Sequence, residues 1–250
     1  MTPALETRGL ARRFGGIIAT DNVSFRLERG ARHAPIGPNG AGKTTFINLL
    51  TGVLPPSAGQ VFLEGADVTR LSPDRRVLRG LARTFQINQL FASTTPAETI
   101  AAAVSERLRR GRTWWRSLGG MRAIEAEVET IAGRFGLADV LETRVTQLAY
   151  GKQRLLEIAV AFASQPRVLL LDEPAAGVPE AERRELLDIV AALPRDVSVL
   201  LIEHDMDLVF SFAERISVLV NGALFAEGNV EEIAGDPRVR AVYLGEDEHD

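Results

Sequence analysis

The chain contains no cysteine in its 250 residues. A disulfide framework and a thiolate metal site are therefore both excluded, as fits a cytosolic protein. It also lacks any apolar run approaching the roughly eighteen residues of a membrane helix. The longest runs, VLLL (168–171) and IAVAFA (158–163), fall far short, and the chain is not expected to span a membrane alone. Positive charge is not in excess: 29 Lys and Arg stand against 33 Asp and Glu, a net charge of −4. That balance argues against a protein coated in cations for a nucleic-acid backbone. The opening MTPALETRGL has no apolar run behind a basic tip, so no secretory signal is expected. No repeat, low-complexity tract or sustained heptad run occurs. What remains is 46% hydrophobic and 25% charged, the make-up of an ordinary globular chain long enough to bury a substantial core.

The first thirty residues alternate as strands do, with turn signals at Gly15-Gly16 and Arg29-Gly30. IGPNGAGKTTFINLLTG then reads as a loop feeding a helix that stops at Gly52, and QVFLEGADV (60–68) resumes strand-like alternation after PPSAG. From about 88 to 150, Ala, Glu, Arg and Leu recur at helical spacing, and Thr95, Pro96 and Glu98 form a helix start with a capping box. This stretch predicts a helical lobe inserted into an α/β chain. Beyond 151 the pattern is helix, buried strand VLLLDEP, helix (about 180–193), buried strand VSVLLIEHD. Apolar strands alternating with helices predict a parallel sheet covered on both faces. ISVLVNGALFAEG reads as a hairpin turning at Asn221-Gly222.

GPNGAGKT (37–44) satisfies the whole phosphate-binding P-loop pattern. Its glycines let N–H groups converge on phosphate oxygens, Lys43 neutralises charge, and the Thr44 hydroxyl is placed for Mg²⁺. A bare glycine-rich turn would lack the lysine, the threonine and the flanking strand and helix. Pro35 falls in the strand before the loop, where a missing N–H should interrupt the ladder. Asp172 ends a buried strand and can hold Mg²⁺ through water. Glu173, one residue on, suits a general base or water-orienting role better than helix capping, because the next helix starts several residues later. His204 ends the following strand; taken alone, a histidine there is more often structural or solvated. Gln86 in RTFQ can coordinate Mg²⁺ or orient water. Phe14 in RRFGG is a candidate to stack on a base, with a core phenylalanine as the alternative.

LAYGKQRLLEIA (148–159) poses a question. It too is a helix start of the anion-binding kind, with Gly151 letting a phosphate approach. A chain with one phosphate cradle has no evident need of a second.

In order and spacing, Phe14, GPNGAGKTT, Gln86, LAYGKQR, LLLDEP, AAGV and LIEHD resemble the ATP-binding subunits of ABC transporters over nearly the whole chain. RFGG, ARTFQ, LAYGKQR, DEPAAG, LIEHDMDLVF and VYLGE resemble the longer ATPase subunit of the branched-chain amino acid uptake class. The resemblance implies an α/β P-loop NTPase fold, an ABC ATPase core with an amino-terminal antiparallel β subdomain and an inserted helical subdomain. Residues 1–87 and 151–250 would form the core and its β subdomain, and 88–150 the helical subdomain. It implies an ATPase using ATP and Mg²⁺. Phe14 would stack on adenine. Gly37, Pro38, Asn39, Gly40, Ala41, Gly42, Lys43, Thr44 and Thr45 would be Walker A. Gln86 would be the Q-loop glutamine, Asp172 and Glu173 the Walker B pair, and His204 the switch histidine. Ala149, Tyr150, Gly151, Lys152 and Gln153 would contact nucleotide from the signature helix, and Thr44, Gln86 and Asp172 would hold the metal.

In this family the signature helix of one subunit caps the ATP held by the P-loop of the other, which accounts for the second cradle. The implied partners are a second ATP-binding subunit, transmembrane permease subunits and, indirectly, a solute-binding protein, with no nucleic acid. The implied location is peripheral, on the cytoplasmic side of the inner membrane, soluble when isolated. Two departures stand out. Leu148-Ala149-Tyr150-Gly151-Lys152, before Gln153, replaces the common Leu-Ser-Gly-Gly-Gln signature, losing a serine hydroxyl while Lys152 adds a charge that partly offsets it. Val178-Pro179 stands where an acidic or amide residue is common, which puts a cross-dimer hydrogen bond in doubt. RLRRGRTWWRS (107–117) reads first as a solvated excursion, second as a membrane-side contact and last as a single-strand binder, and GEDEHD as a frayed tail. The rival functions are a soluble ABC-type ATPase acting on nucleic acid and a non-hydrolysing nucleotide-binding regulator.

Overall fold

A computed structural model describes residues 2–84, 90–108 and 118–244, with 118–120, 243 and 244 as backbone only. The chain forms two compact units. The first comprises Met1–Leu81, Arg167–Leu170 and Pro194–Asp250, the second Ala82–Pro166 and Leu171–Leu193.

In the first unit, β1 (Leu5–Phe14) and β2 (Ile17–Leu27) form an antiparallel hairpin around Gly15-Gly16. With β4 (Ala58–Leu63) and β5 (Ala66–Asp67) they make a four-stranded antiparallel sheet of order β2-β1-β4-β5. Alternation along these strands turns Leu5, Val23, Phe25, Leu27, Val61 and Leu63 into the core. There they meet Phe46, Ile47, Leu49 and Leu50 of helix α1 (Lys43–Thr51). Each such fully buried side chain contributes about 1.5–3 kcal/mol.

A second, six-stranded sheet has the order β10-β9-β3-β8-β7-β6. Of these, β3 (Arg32–Ile36), β8 (Ser198–Ile202), β9 (Arg215–Val220) and β10 (Ala223–Gly228) lie in this unit, while β6 (Leu81–Arg83) and β7 (Val168–Asp172) begin in it and end in the other. β9 and β10 turn at Asn221 and Gly222, both left-handed (φ 49° and 78°), the type I′ geometry that Asn-Gly favours.

The sheet also resolves the Pro35 expectation. β3 runs parallel to β9 from His33 to Ile36, but its pairing with β8 stops at His33 opposite Leu200. Arg32 accepts from Glu214 N at 2.8 Å on the β9 side, so by alternation His33 and Pro35 point their amide positions toward β8. The missing N–H therefore falls where the ladder has already ended. Short helices α2 (Pro73–Val77), α7 (Met206–Phe212), α8 (Val230–Gly235) and α9 (Pro237–Leu244) complete the unit.

The second unit contains α3 (Pro96–Arg107), α4 (Leu118–Arg134), α5 (Tyr150–Ala163) and α6 (Glu180–Ala191), of which α3 and α4 fall within the stretch read as helical. The capping box forms as read: Thr95 accepts from Glu98 N at 3.2 Å, and Glu98 accepts from Thr95 N at 2.9 Å. On α5 the buried Leu155, Ile158 and Ala159 follow helical spacing. Phe162 continues that face and meets Phe135 edge-on at 5.5 Å.

Candidate functional site

In the first unit, the loop 37–42 is held by its own chain's backbone. A Cβ on Gly37 would lie 2.2 Å from the Leu219 carbonyl oxygen, and one on Gly42 would lie 2.5 Å from that of Ala19. Gly42 is also left-handed, φ 94°. The hairpin tip ties these neighbours together: Gly222 N donates to Ala41 O at 3.0 Å, and Asp21 N donates to Gly222 O at 2.8 Å. The ammonium of Lys43, buried at 8% exposure, donates to the carbonyls of Gly37 and, at 3.1 Å, Pro38. Ala41 is buried, Pro38 and Thr45 are half-buried, and Asn39, Gly40 and Thr44 are exposed.

The far end of α1 is fixed too, by a residue that sequence reading missed. Arg76 is 1% exposed and donates to Leu49 O at 2.8 Å, Leu50 O at 2.5 Å and Thr69 O at 2.9 Å. A cation over the last carbonyls of a helix opposes the negative end of its dipole. Burial lowers the pKa of this guanidinium to about 10. Phe14 is 43% exposed at the end of β1 with Arg12 4.6 Å over its ring, so it is no core residue. His204 is exposed just beyond β8, ahead of Asp205, whose carboxylate caps α7.

The second unit contains the acidic pair and the signature stretch. Asp172, 7% exposed, ends β7 with its Oδ2 2.7 Å from an Arg83 guanidinium nitrogen. Glu173 adopts a left-handed backbone, φ 50°, a strained conformation for a non-glycine residue and one that clusters at functional sites. Val178 is buried and its carbonyl accepts from Arg183 at 2.8 Å, so this position serves packing within its own unit.

Side chains brace the start of α5. The Tyr150 ring sits where a Cβ on Gly177 would come within 3.0 Å, and the Glu182 carboxylate lies 2.2 Å from where a Cβ on Gly151 would be. Gln153 Nε2 donates to Leu148 O at 3.0 Å. The Lys152 ammonium donates to the Gly136 carbonyl and lies 3.5 Å from Asp139. Within this chain the Lys152 charge is therefore engaged by the turn after α4. Gln86 lies outside the described residues, as do 109–117 of the basic aromatic stretch and the acidic tail from 245.

Helix starts differ in their caps. Thr95, Asp205 and Asn229 cap α3, α7 and α8 with side-chain oxygens. α2 and α6 lack a side-chain cap but carry acids in the first turn, Asp74 in α2 and Glu180 and Glu182 in α6. α1 and α5 begin at Gly42 and Ala149 with neither a side-chain cap nor an acid in the first turn. Uncapped helix amides suit an anion.

Comparison with known proteins agrees with this arrangement. The family described as "ABC transporter" matches residues 20–176. The chain belongs to it. A second family, "Branched-chain amino acid ATP-binding cassette transporter", matches residues 223–249 of this ABC cassette. The cassette is 39% identical to the high-affinity branched-chain amino acid transport ATP-binding protein LivG of Salmonella typhimurium, over 98% of each chain. It is also 39% identical to BraF of Pseudomonas aeruginosa over 98% of each chain. Among solved structures, the ADP conformation of MJ1267, an ATP-binding cassette of an ABC transporter, aligns with TM-score 0.83 at 30% identity, covering 98% of this chain and 100% of that one. The protein is an ATP-binding, ATP-hydrolysing subunit of an ABC transporter. Among its described residues no helix is long and apolar enough to cross a membrane.

Proposed function

We propose that this subunit drives uptake of branched-chain or related amino acids, closing as a dimer on two MgATP and reopening after hydrolysis against membrane permease subunits. The observation that carries the reading is that α1 and α5 of one chain each begin with neither a side-chain cap nor a first-turn acid. Each would supply half of a site completed by a second ATP-binding subunit. The names of LivG and BraF, both branched-chain amino acid transport ATP-binding proteins, suggest the solute class. The working place is the cytoplasmic face of the membrane, with a solute-binding protein delivering cargo to the permease.

In the site, the loop amides of 37–45 and Lys43 bind phosphates, Phe14 stacks on adenine, and residues 149–153 cap the nucleotide of the partner. Glu173 orients or activates water, and His204 senses the γ-phosphate. Asp172, Thr44 and Gln86 would hold Mg²⁺. The donor chemistry fits: a buried carboxylate already beside a cation, and an exposed hydroxyl, are hard oxygen donors. No cluster of three or more His, Cys, Asp or Glu suited to a metal occurs among the described residues. That accords with an ion held chiefly by phosphates, water and one or two protein oxygens. When bound, Mg²⁺ neutralises phosphate charge.

Glu173→Gln tests the assignment. ATP binding should persist while turnover falls about a hundredfold or more, as for loss of a positioned acid–base group. Near wild-type phosphate release would remove Glu173 from the mechanism. Purification of the native complex with its permease and solute-binding partners tests the solute class.

A further inference from the structure

We infer that Arg83 is a built-in competitor of Mg²⁺ for Asp172, so that the arginine sets how much metal the nucleotide site requires. The inference rests on the reading of Asp172 as a metal-holding residue and goes beyond it by assigning a role to Arg83, which stands in the RTFQ stretch three residues before Gln86.

Three observations carry it. First, the two side chains meet at 2.7 Å with only 14% and 8% exposure. A charge-assisted hydrogen bond this sheltered from water is strong, and a carboxylate so placed would be costly without a cation. Second, the pair spans 89 positions of sequence and joins the ends of β6 and β7, so it is set by the fold and not by local chain statistics. Third, the guanidinium has somewhere to go. Arg83 lines a cavity of about 360 Å³ whose wall also carries Glu98, held in the α3 capping box, and Glu157, paired with Arg154 at 2.8 Å, so the space open to the guanidinium has acidic walls.

Asp172 has one charge to offer. A metal arriving at it meets a fixed positive charge on the same carboxylate, and either the arginine swings into the cavity or the two cations repel each other. Both outcomes make metal binding and the Arg83 pair oppose one another, and by linkage the opposition is mutual. Arg83 therefore acts as a positioning residue: it keeps Asp172 ordered before the metal comes and weakens the metal's hold afterward.

The test uses the full chain with a fluorescent ATP analogue, titrated with Mg²⁺ alone as the variable, and thermal melting without metal or nucleotide. Arg83→Gln should lower the Mg²⁺ concentration for half-maximal binding about tenfold, within the range usual for coupled sites. It should also lower the metal-free melting temperature, because Asp172 loses its cation. Arg83→Lys, which keeps the charge but loses the planar fork, should shift the metal requirement the same way by less. It serves alone should Arg83→Gln fail to fold. An unchanged Mg²⁺ midpoint in whichever variant folds would overturn the inference. Asp172→Asn separates this failure from that of the underlying reading. If Asp172→Asn loses its Mg²⁺ dependence while the Arg83 variants show no shift, only the competition fails. If Asp172→Asn titrates like the wild type, the metal role of Asp172 fails with it.

Discussion

The two glycine-led helix starts look alike in sequence and are framed in opposite ways. Around the loop 37–42 the neighbours are backbone: the carbonyls of Leu219 and Ala19, the amide of Gly222, and the strand β3 that feeds it. Around the start of α5 the neighbours are side chains: the Tyr150 ring, the Glu182 carboxylate, and Lys152 reaching to Gly136. Backbone moves little without moving a whole strand, whereas a carboxylate or a ring changes rotamer. The first start is preformed and suits tight, lasting possession of a nucleotide. The second is adjustable and suits a contact that is made and broken in every cycle.

The sharpest way to break that comparison is Gly42→Ala. The new Cβ would strain a left-handed residue, about 1–2 kcal/mol, and would press on the Ala19 carbonyl 2.5 Å away, adding about 1–3 kcal/mol of overpacking. A loss of roughly 3 kcal/mol or more in denaturant unfolding is expected, with nucleotide binding falling alongside. Wild-type stability would mean that the backbone around the P-loop yields, and the contrast with α5 would vanish.

A smaller effect comes from the strand beneath the loop. His33 is 1% exposed, its Nε2 lies 2.8 Å from Ser217 Oγ, and Ser217 donates onward to Glu227, which Arg215 also binds. Burial pushes the pKa of His33 down to about 4, with Glu227 opposing that shift and Arg215 aiding it. The unfolded chain takes its proton near pH 6.5 and the folded chain resists until about 4, so stability falls as pH drops through this window and levels off below it. Between pH 7.5 and 5 the loss should be about 2 kcal/mol. His33→Gln should flatten that part of the pH–stability curve. An unchanged slope would show that the strand feeding the P-loop carries no titrating load.

How much of this was legible follows from range. Gly52 ending α1, the capping box at Thr95 and the type I′ turn at Asn221-Gly222 are written within a few neighbouring residues, so spacing alone announced them. The charged side chains that frame the sites were not legible. Nothing in the sequence distinguishes Arg76 from its neighbour Arg75 in PDRRV, yet it is sealed over the end of α1. Arg83 has no role that spacing announces, yet it binds Asp172 from 89 residues away. Gly151 was read as clearance for a phosphate, and the structure adds a nearer neighbour, Glu182, from the first turn of α6. Each partner is chosen by tertiary geometry, to which periodicity is blind.

Gly151→Ala is the mildest change and the one that separates the two frames most cleanly. Its Cβ would fall 2.2 Å from Glu182 Oε2, the far end of a flexible side chain, so a rotamer change accommodates it. Alanine is also the better helix former by up to about 1 kcal/mol, so stability should stay within about 1 kcal/mol of wild type. ATP binding to the P-loop should persist. Turnover should nevertheless fall about tenfold or more, because the added methyl stands where a partner's phosphate would approach the helix amides. Adding Glu182→Ala removes the crowding within the subunit but not the methyl, so the double variant should fold normally and remain slow. Recovery of turnover in that double variant would mean that Gly151 serves Glu182 alone. The helix start would then be a packing joint, and the P-loop would be the sole phosphate site of this subunit.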